Sequence, residues 1–430
     1  MKNLFFVFLL CASKLYAGPS DYMLQEGVNS FMARANAATD GKVYASKTNP
    51  AGLALHQKNQ LGFNLNLTSY KLEDATRDPS ATISSGISRD NYQASKAKSV
   101  SQYSLGLTLA LSNNLVFGLS AFIPAEKLIS IYTQTSNESN YLHFNDRTQR
   151  PEIYLAGGYE LTDNFSFGAG LYLSMKANGL IQIGISENDA ESRSLIDAKP
   201  VLIPYIGSLY KNNDYLIGLS YRFVNDPKTI LGFQLSQNLS GNISVPINTD
   251  SNLVPIYDPA QITLGFGLQK ENYESYFSLE RVFWENYKAP IIELSGDIED
   301  LTGDGIPEKS ISFEDTWALR LGHNFKNLFE LFNGQYSHLI GFEYHQGATK
   351  DSPESIAILD TDKWVVSTGF ELSLPSLGSF SSGPVHLNFG VQYLTLIKKT
   401  YRAESKSNVL QTVQVGGNVL GVAGGIKIEI

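Results

Sequence analysis

The feature that most constrains this chain is a two-residue alternation of apolar with small or polar side chains, recurring in short stretches almost to the C-terminus. Leu105, Leu107, Leu109 and Leu111 alternate with Gly106, Thr108 and Ala110. Leu115, Phe117, Leu119, Ala121 and Ile123 continue the pattern around Gly118 and Ser120. It returns at Phe165–Leu173, at Tyr215–Phe223 and at Leu387–Tyr393. Successive side chains of a strand point to opposite faces, so each stretch predicts a strand with one greasy and one small or polar face. A soluble sandwich would alternate in the same way, because its inner faces pack together.

Connection lengths separate the two readings. Short links at Ser112–Asn114, Thr162–Asn164, Lys211–Asp214 and Glu271–Tyr273, with longer ones near Lys326–Gly334 and Pro375–Pro384, alternate with long polar connections. The long ones fall near Glu73–Lys98, Ala125–Thr148, Gly179–Ala198, Gln237–Tyr257, Ile291–Ser312, Thr349–Asp360 and Lys399–Val415. Tight turns on one side and long loops on the other are what a transmembrane barrel requires. The segments predict an all-β chain, a transmembrane antiparallel β-barrel of about fourteen strands over residues 58–430, with both termini periplasmic. Tyr103, Tyr159, Tyr221 and Tyr393 lie near strand ends, as interfacial aromatic girdles do.

The rest of the chain narrows the compartment. Residues 1–17 read as a signal peptide: Lys2, the apolar run Leu4–Ala12, and Leu15-Tyr16-Ala17 as a small-residue cleavage site. Leu10 before Cys11 is not the small residue that a lipid-attachment site wants. Cleavage would remove the only cysteine, and with it disulfides, thiolate metal sites and cysteine nucleophiles. It would also remove Lys2 and Lys14, taking the 33 basic residues to 31 against 42 acidic ones, a net charge of −11. Such an acidic chain without a basic stripe predicts no nucleic-acid partner. No stretch approaches the about eighteen apolar residues of a membrane helix. Export without a spanning helix leaves a soluble secreted protein or a closed outer-membrane barrel.

Ahead of the first strand, residues 18–57 change character. Gly27–Gln57 is rich in Ala, Asn, Ser and Gly, with no sustained period; Val28–Ala38 is compatible with a short helix. It ends in Asn49-Pro50-Ala51-Gly52-Leu53, where proline removes a donor and glycine allows a reversal. A barrel of this size has a lumen too wide for its own side chains to fill. The reading is a hatch, or plug, inside that lumen; the alternative is an exposed N-terminal arm.

Together these residues resemble the FadL/TodX family of outer-membrane transporters for long-chain fatty acids and other hydrophobic compounds. Ala33-Arg34-Ala35-Asn36-Ala37 ahead of Asn49-Pro50-Ala51 is similar to the family's hatch with its Asn-Pro-Ala motif. Phe122-Ile123-Pro124 stands where the family has Pro-Phe-Gly at the end of the third strand, although Ala125-Glu126 follows here. Pro259-Ala260-Gln261-Ile262-Thr263-Leu264-Gly265, Trp284 with Tyr287-Lys288, Asp315–Gly322 and Asp360–Trp364 resemble later signatures. The chain ends in Ile430, where such barrels commonly end in an aromatic residue. The resemblance implies passive uptake: capture by outer loops, an apolar pocket above the hatch, and exit through a gap where the third strand, Leu115–Pro124, is kinked. Gly118 and Pro124 are the residues able to bend that strand or end its pairing. A shift of the hatch at Asn49, Pro50, Ala51 and Gly52 would gate the route. The implied partners are a long-chain fatty acid or other hydrophobic ligand, outer-membrane lipid and the outer-membrane assembly machinery; no cofactor is implied.

A carboxylate ligand would want a buried cation. Strand parity turns Arg222 and Arg320 to the lumen, as candidate ligand contacts or as members of a structural charge network with residues such as Glu160 or Glu371. Lys199 and Arg281 are weaker candidates. Asp300, Thr302, Asp304, Gly305 and Glu308 partly resemble a calcium loop, but Ile311 stands where its bidentate carboxylate belongs, so no metal is assigned. The six histidines show no metal-ligand spacing and no Gly-x-Ser-x-Gly elbow occurs, so no enzyme is read. The competing readings are a general aqueous porin and an outer-membrane enzyme or adhesin.

Overall fold

A computed structural model describes residues 24–55, 57–73, 100–125, 140–144, 150–185, 190–226, 229–239, 243–253, 257–287, 293–296, 313–350, 358–376, 383–404 and 410–430. The wall consists of fourteen strands: β1 (Gln60–Leu72), β2 (Val100–Ala110), β3 (Leu115–Pro124), β4 (Glu152–Thr162), β5 (Phe165–Ile185), β6 (Ala190–Asn212) and β7 (Tyr215–Arg222) make one half. β8 (Gln261–Gln269), β9 (Tyr273–Val282), β10 (Thr316–Leu331), β11 (Gly334–His345), β12 (Lys363–Leu374), β13 (Val385–Glu404) and β14 (Leu410–Glu429) make the other. Each pairs antiparallel with the next, and β14 returns to β1 along the whole length from Gln60–Glu429 to Leu72–Gly417. Closure leaves no edge, so the ladder can sit in hydrocarbon.

The alternation sorts as the sequence requires. Leu105, Phe165, Phe167, Leu171, Tyr215, Ile217, Leu219, Leu387, Phe389 and Tyr393 are exposed on the outer face. Their neighbours Ser104, Thr108, Ser166, Ser220, Asn388 and Gln392 are buried on the inner one. Phe329, Tyr336, Phe370 and Phe389 stack in sequence across neighbouring strands at centroid distances of 4.4, 6.0 and 5.7 Å, forming part of an aromatic girdle.

Four predicted connections are strand instead. β5 and β6 run through most of Gly179–Ala198, and β13 and β14 through most of Lys399–Val415. Within Gln237–Tyr257 a hairpin forms from Thr229–Leu239 and Ile243–Leu253, and Leu231–Gln237 pairs in parallel with Gly179–Ile185. Beyond the bilayer both faces of a strand meet water, so the ladder continues without the alternation that marked it. The fourth, Lys326–Gly334, is hidden differently. β10 passes through a register shift between Phe325 and Phe329, where it gains two residues on β11, and then turns at Phe332 and Asn333, both at positive φ.

Residues 24–55 form short helical turns: Val28–Phe31, Lys42–Tyr44, Ala45–Thr48 and Pro50–Leu55. The helix read over Val28–Ala38 stops at Phe31 because Ala33 and Arg34 take left-handed conformations, with φ of 50° and 58°. Buried asparagines bond the segment to itself: Asn29 Nδ2 donates to the Gly41 carbonyl at 2.8 Å and Asn36 Nδ2 to Asn29 Oδ1 at 2.9 Å. Almost every residue is buried, and the burying surface is the inner face of the wall.

That face carries a belt of glycines, several paired across strands. Gly62 and Gly106 face Val43; Gly158, Gly168 and Gly207 face Asn49–Leu53; Gly218 and Gly265 face Ala38. Gly322 and Gly341 face Met32, and Gly369 and Gly390 face Phe31. At Gly218 a methyl group would run into the Ala38 carbonyl oxygen, and at Gly168 into the backbone of Pro50 and Ala51. Only a bare backbone admits another backbone so closely.

Candidate functional site

The site is built where the leading segment meets the wall. Asn49 ties the two together: its Nδ2 donates to the Ala38 carbonyl at 2.6 Å and to the Ser208 carbonyl of β6 at 3.1 Å. Its Oδ1 accepts from the Ala51 amide at 3.0 Å, which folds the chain into the turn that Pro50 opens. Gly52 closes that turn, its amide donating to the Asn49 carbonyl at 2.9 Å. The four residues named from the sequence therefore form one seat against β4, β5 and β6.

Charges hold the other side. Arg34 lies 3.5 Å from Glu343, which also meets Arg320 at 3.3 Å, and Arg320 meets Glu280 at 2.8 Å. Lys47 sits 3.6 Å from Glu26 and 3.9 Å from Glu152, with its Nζ 4.5 Å above the Phe122 ring. Lys42 lies 3.7 Å from Asp40 and 3.5 Å from Glu274. Ser46 Oγ and Ser120 Oγ share a hydrogen bond at 2.5 Å, and the Ala33 amide donates to Ser367 Oγ at 3.1 Å. Charges this buried are tolerated only when paired, and deleting one partner strands the other.

Both candidate arginines face inward and are buried. Arg320 is held by two glutamates, so it belongs to the charge network; its partners are Glu280 and Glu343, not Glu160 or Glu371. Those two contact Gln57 at 2.9 Å and His386 at 3.6 Å. Arg222 donates to Gln261 Oε1 at 2.9 Å. Lys199 is exposed beside Asp197 at 2.9 Å, and Arg281 meets Asp315 at 3.0 Å. Gly118 packs under Leu53 and Ser46, and β3 stays in register through it on both sides. Pairing between β3 and β4 ends at Phe122–Glu152, while Pro124 pairs only with Gln102 of β2. The Asp300–Ile311 run and residues 1–17 lie outside the described residues.

Aromatic rings of the wall pack with Val43, Tyr44 and Leu53 of the segment in one buried cluster. Tyr154 and Tyr172 stack at 4.7 Å, with Phe122 and Tyr205 edge-on at 6.1 and 6.0 Å. Nearer the outer mouth, Asn140–Tyr141 pairs in parallel with Ile358–Leu359, placing Tyr141 and Phe144 in one buried cluster and Leu142 in another. Tyr141 Oη donates to the Glu73 and Gly416 carbonyls, both at 2.9 Å, across the β1–β14 seam. His143 lies 3.4 Å from Asp360, and Lys363 bonds both Asp360 oxygens at 2.8 Å. Burial raises the Asp360 pKa, but the charges of Lys363 and His143 outweigh it and hold the carboxyl well below its ordinary value. On the periplasmic side, a cavity of about 520 Å³ opens among Leu55, Gln57, Lys58, Glu160, Lys211 and Glu429.

The glycine belt and Glu343 were not singled out in the sequence. The signal was present: glycines sit at inward parity in strand after strand, and Glu343 has the same parity as Ser337 and Leu339, which are also buried.

A closed antiparallel barrel with its bore occupied by its own leading residues defines a class of outer-membrane channel. The sequence profile described as outer membrane protein transport protein (OMPP1/FadL/TodX) matches residues 20–423. The chain belongs to this family: it is an outer-membrane transport protein for hydrophobic compounds and not an enzyme. A FadL homologue from Pseudomonas aeruginosa superposes with a TM-score of 0.64 at 13% identity, over 95% of this chain and 100% of that one. The monoaromatic hydrocarbon channel CymD gives 0.56 at 15% identity, over 96% and 99%. The toluene transporter TodX of P. putida gives 0.54 at 14%, over 94% and 99%. A search of curated protein sequences finds no match.

Proposed function

We propose that the protein takes up hydrophobic small molecules passively, long-chain fatty acids among them, by a hatch-gated route that leaves through the wall. The observation that carries this reading is the seating of residues 24–55, backbone against backbone, on the glycine belt. A bore filled at this height offers little water to a polar solute, whereas an apolar one gains by leaving sideways into lipid. Residues 18–57 act as the hatch, with Asn49, Pro50, Ala51 and Gly52 as its movable seat. The exit opens at the Pro124 end of β3, beyond the last β3–β4 pair, where a proline offers no donor to extend the ladder. The rings of Phe122, Tyr154, Tyr172 and Tyr205 pack on the segment beside that end, and its shift would uncover them. Gly118 serves the seat by admitting Leu53 rather than by bending the strand.

The test uses the Ser46–Ser120 contact, one residue from the hatch and one from β3. Serine oxygens 2.5 Å apart mark a pair that a disulfide can bridge, and Cys11 is the only native cysteine. Ser46→Cys/Ser120→Cys should lose uptake of labelled oleate or toluene when oxidised and regain it with reductant. Equal uptake in both states refutes hatch movement. Small-ion conductance indifferent to the bridge, with uptake of polar solutes, would favour the aqueous porin.

A further inference from the structure

The loop that joins β3 to β4 crosses the bore. Its stems rise from one stretch of wall, yet residues 140–144 are seated on others. Tyr141 Oη lies 2.9 Å from the Glu73 and Gly416 carbonyls and accepts from the Gly416 amide at 3.1 Å, at the seam of β1 and β14. Phe144 meets Tyr70 of β1 edge-on at 5.7 Å. His143 reaches Asp360, just ahead of β12, at 3.4 Å, and its ring meets Trp284, just past β9, at 5.5 Å. Leu142 shares a buried cluster with Val282 of β9, with Trp284 and with Phe313, just ahead of β10. In a ring of fourteen strands β3 and β10 stand opposite one another, so the loop reaches the far side.

That seat is well buried but lightly tied. Tyr141, Leu142, His143 and Phe144 are all buried. Among the described residues, the main chain of this segment is held by a two-residue parallel pairing with Ile358–Leu359 and by the Leu142 amide, which donates to the Leu359 carbonyl at 2.8 Å. The strands around it are paired on both sides, and a segment with so short a ladder opens at lower cost than they do. Its β4 stem, by contrast, is fixed. Six residues beyond Phe144, Arg150 is buried, donates from Nε to Tyr172 Oη at 3.2 Å and pairs with Asp258. Release of the segment strands no carboxylate either, because Lys363 bonds both Asp360 oxygens at 2.8 Å and stays when His143 leaves.

We infer that Asn140–Phe144 is a lid across the outer mouth, hinged at Arg150 and latched by Tyr141 and His143, and that cargo enters the bore when the latch lets go. The bore then carries two gates in series, the lid outside and the hatch within. The inference rests on the transport reading for what passes, but the two gates fail separately. Uptake stopped by a locked lid and indifferent to a locked hatch would keep the lid and remove the moving hatch; the opposite pair of results would remove the lid alone.

Asn140 and Ile358 are register partners in neighbouring strands, which run about 4.8 Å apart, within the Cα separation that a disulfide spans. With the full chain in proteoliposomes, Asn140→Cys/Ile358→Cys should lose uptake of labelled oleate when oxidised and regain it with reductant, and Asn140→Cys alone should not respond to either. Tyr141→Phe removes the latch hydroxyl and keeps the ring. Amide exchange at Leu142 should then rise about tenfold, the weight of one to two net hydrogen bonds, while β12 and β13 exchange as before. Uptake by Tyr141→Phe should be no slower than by the parent. Equal uptake by the oxidised and reduced double variant, unchanged exchange at Leu142 in Tyr141→Phe, the same rise across β12 and β13, or slower uptake by Tyr141→Phe would each overturn the lid.

Discussion

Glu343→Gln isolates the electrostatic part of the contact between residues 24–55 and the wall. Glu343 is 1% exposed and bridges Arg34 of the leading segment at 3.5 Å to Arg320 of β10 at 3.3 Å. Glutamine keeps the shape and removes the charge. Removing one partner from a fully buried pair costs about 3–5 kcal/mol. Two features reduce that figure: the Arg34 side chain keeps 15% exposure, and Arg320 retains Glu280 at 2.8 Å. We take about 2 kcal/mol for the seating of residues 24–55, which multiplies the unseated population by about 30. Amide hydrogen exchange reads this directly, because protection of a locally opening unit falls with its opening equilibrium. Peptides within residues 24–55 should exchange about 30-fold faster while β12–β14 are unchanged. Asp315→Asn breaks a pair with Arg281, at 3.0 Å, that does not touch the segment. Parental protection in Glu343→Gln, or the same loss in Asp315→Asn, would rule out Glu343 as a specific tie on the segment.

Neighbouring glycines give a second test. A side chain at Gly158 meets the Pro50 carbonyl and Leu53, whereas one at Gly157 meets nothing within 4 Å. Gly158→Val should unseat the segment and raise single-channel conductance in planar bilayers, and Gly157→Val should leave both as they are. A third concerns pH. The Asp360 carboxyl is depressed in the folded state, so its contribution to stability is complete above the unfolded carboxylate's pKa of about 4 and is lost as pH falls through and below it. The melting temperature should drop between pH 5 and pH 3, and the drop should shrink in Asp360→Asn; identical slopes would count against the Lys363–Asp360 pair as a source of stability.

The outer face was legible because lipid imposes apolar character on every second residue. Phe165, Phe167 and Tyr393 could hardly have been placed elsewhere. Strand limits were legible only within the bilayer: where β5, β6, β13 and β14 rise past it, solvent asks nothing of residue pattern and the ladder leaves no trace. Inward parity of Arg320 was readable, but its partners were not, since Glu280 and Glu343 come from the two flanking strands and depend on a register that composition does not encode. The seat of Asn49–Gly52 could be suspected from Pro50 and Gly52. Its counterpart on Gly158, Gly168 and Gly207 lies more than a hundred residues away, and a single glycine in a strand has many explanations.

The ring of glycines has a bearing on how the cylinder is made. At that height the sheet has few side chains of its own to pack across the bore, so its inner contacts there are supplied by Phe31, Met32, Ala38, Val43 and Leu53. The leader is thus less a stopper added to a finished pipe than a mandrel around which the staves are drawn in. A cylinder assembled without it would lack those inner contacts, and the segment would have to be in place when the last strand meets the first.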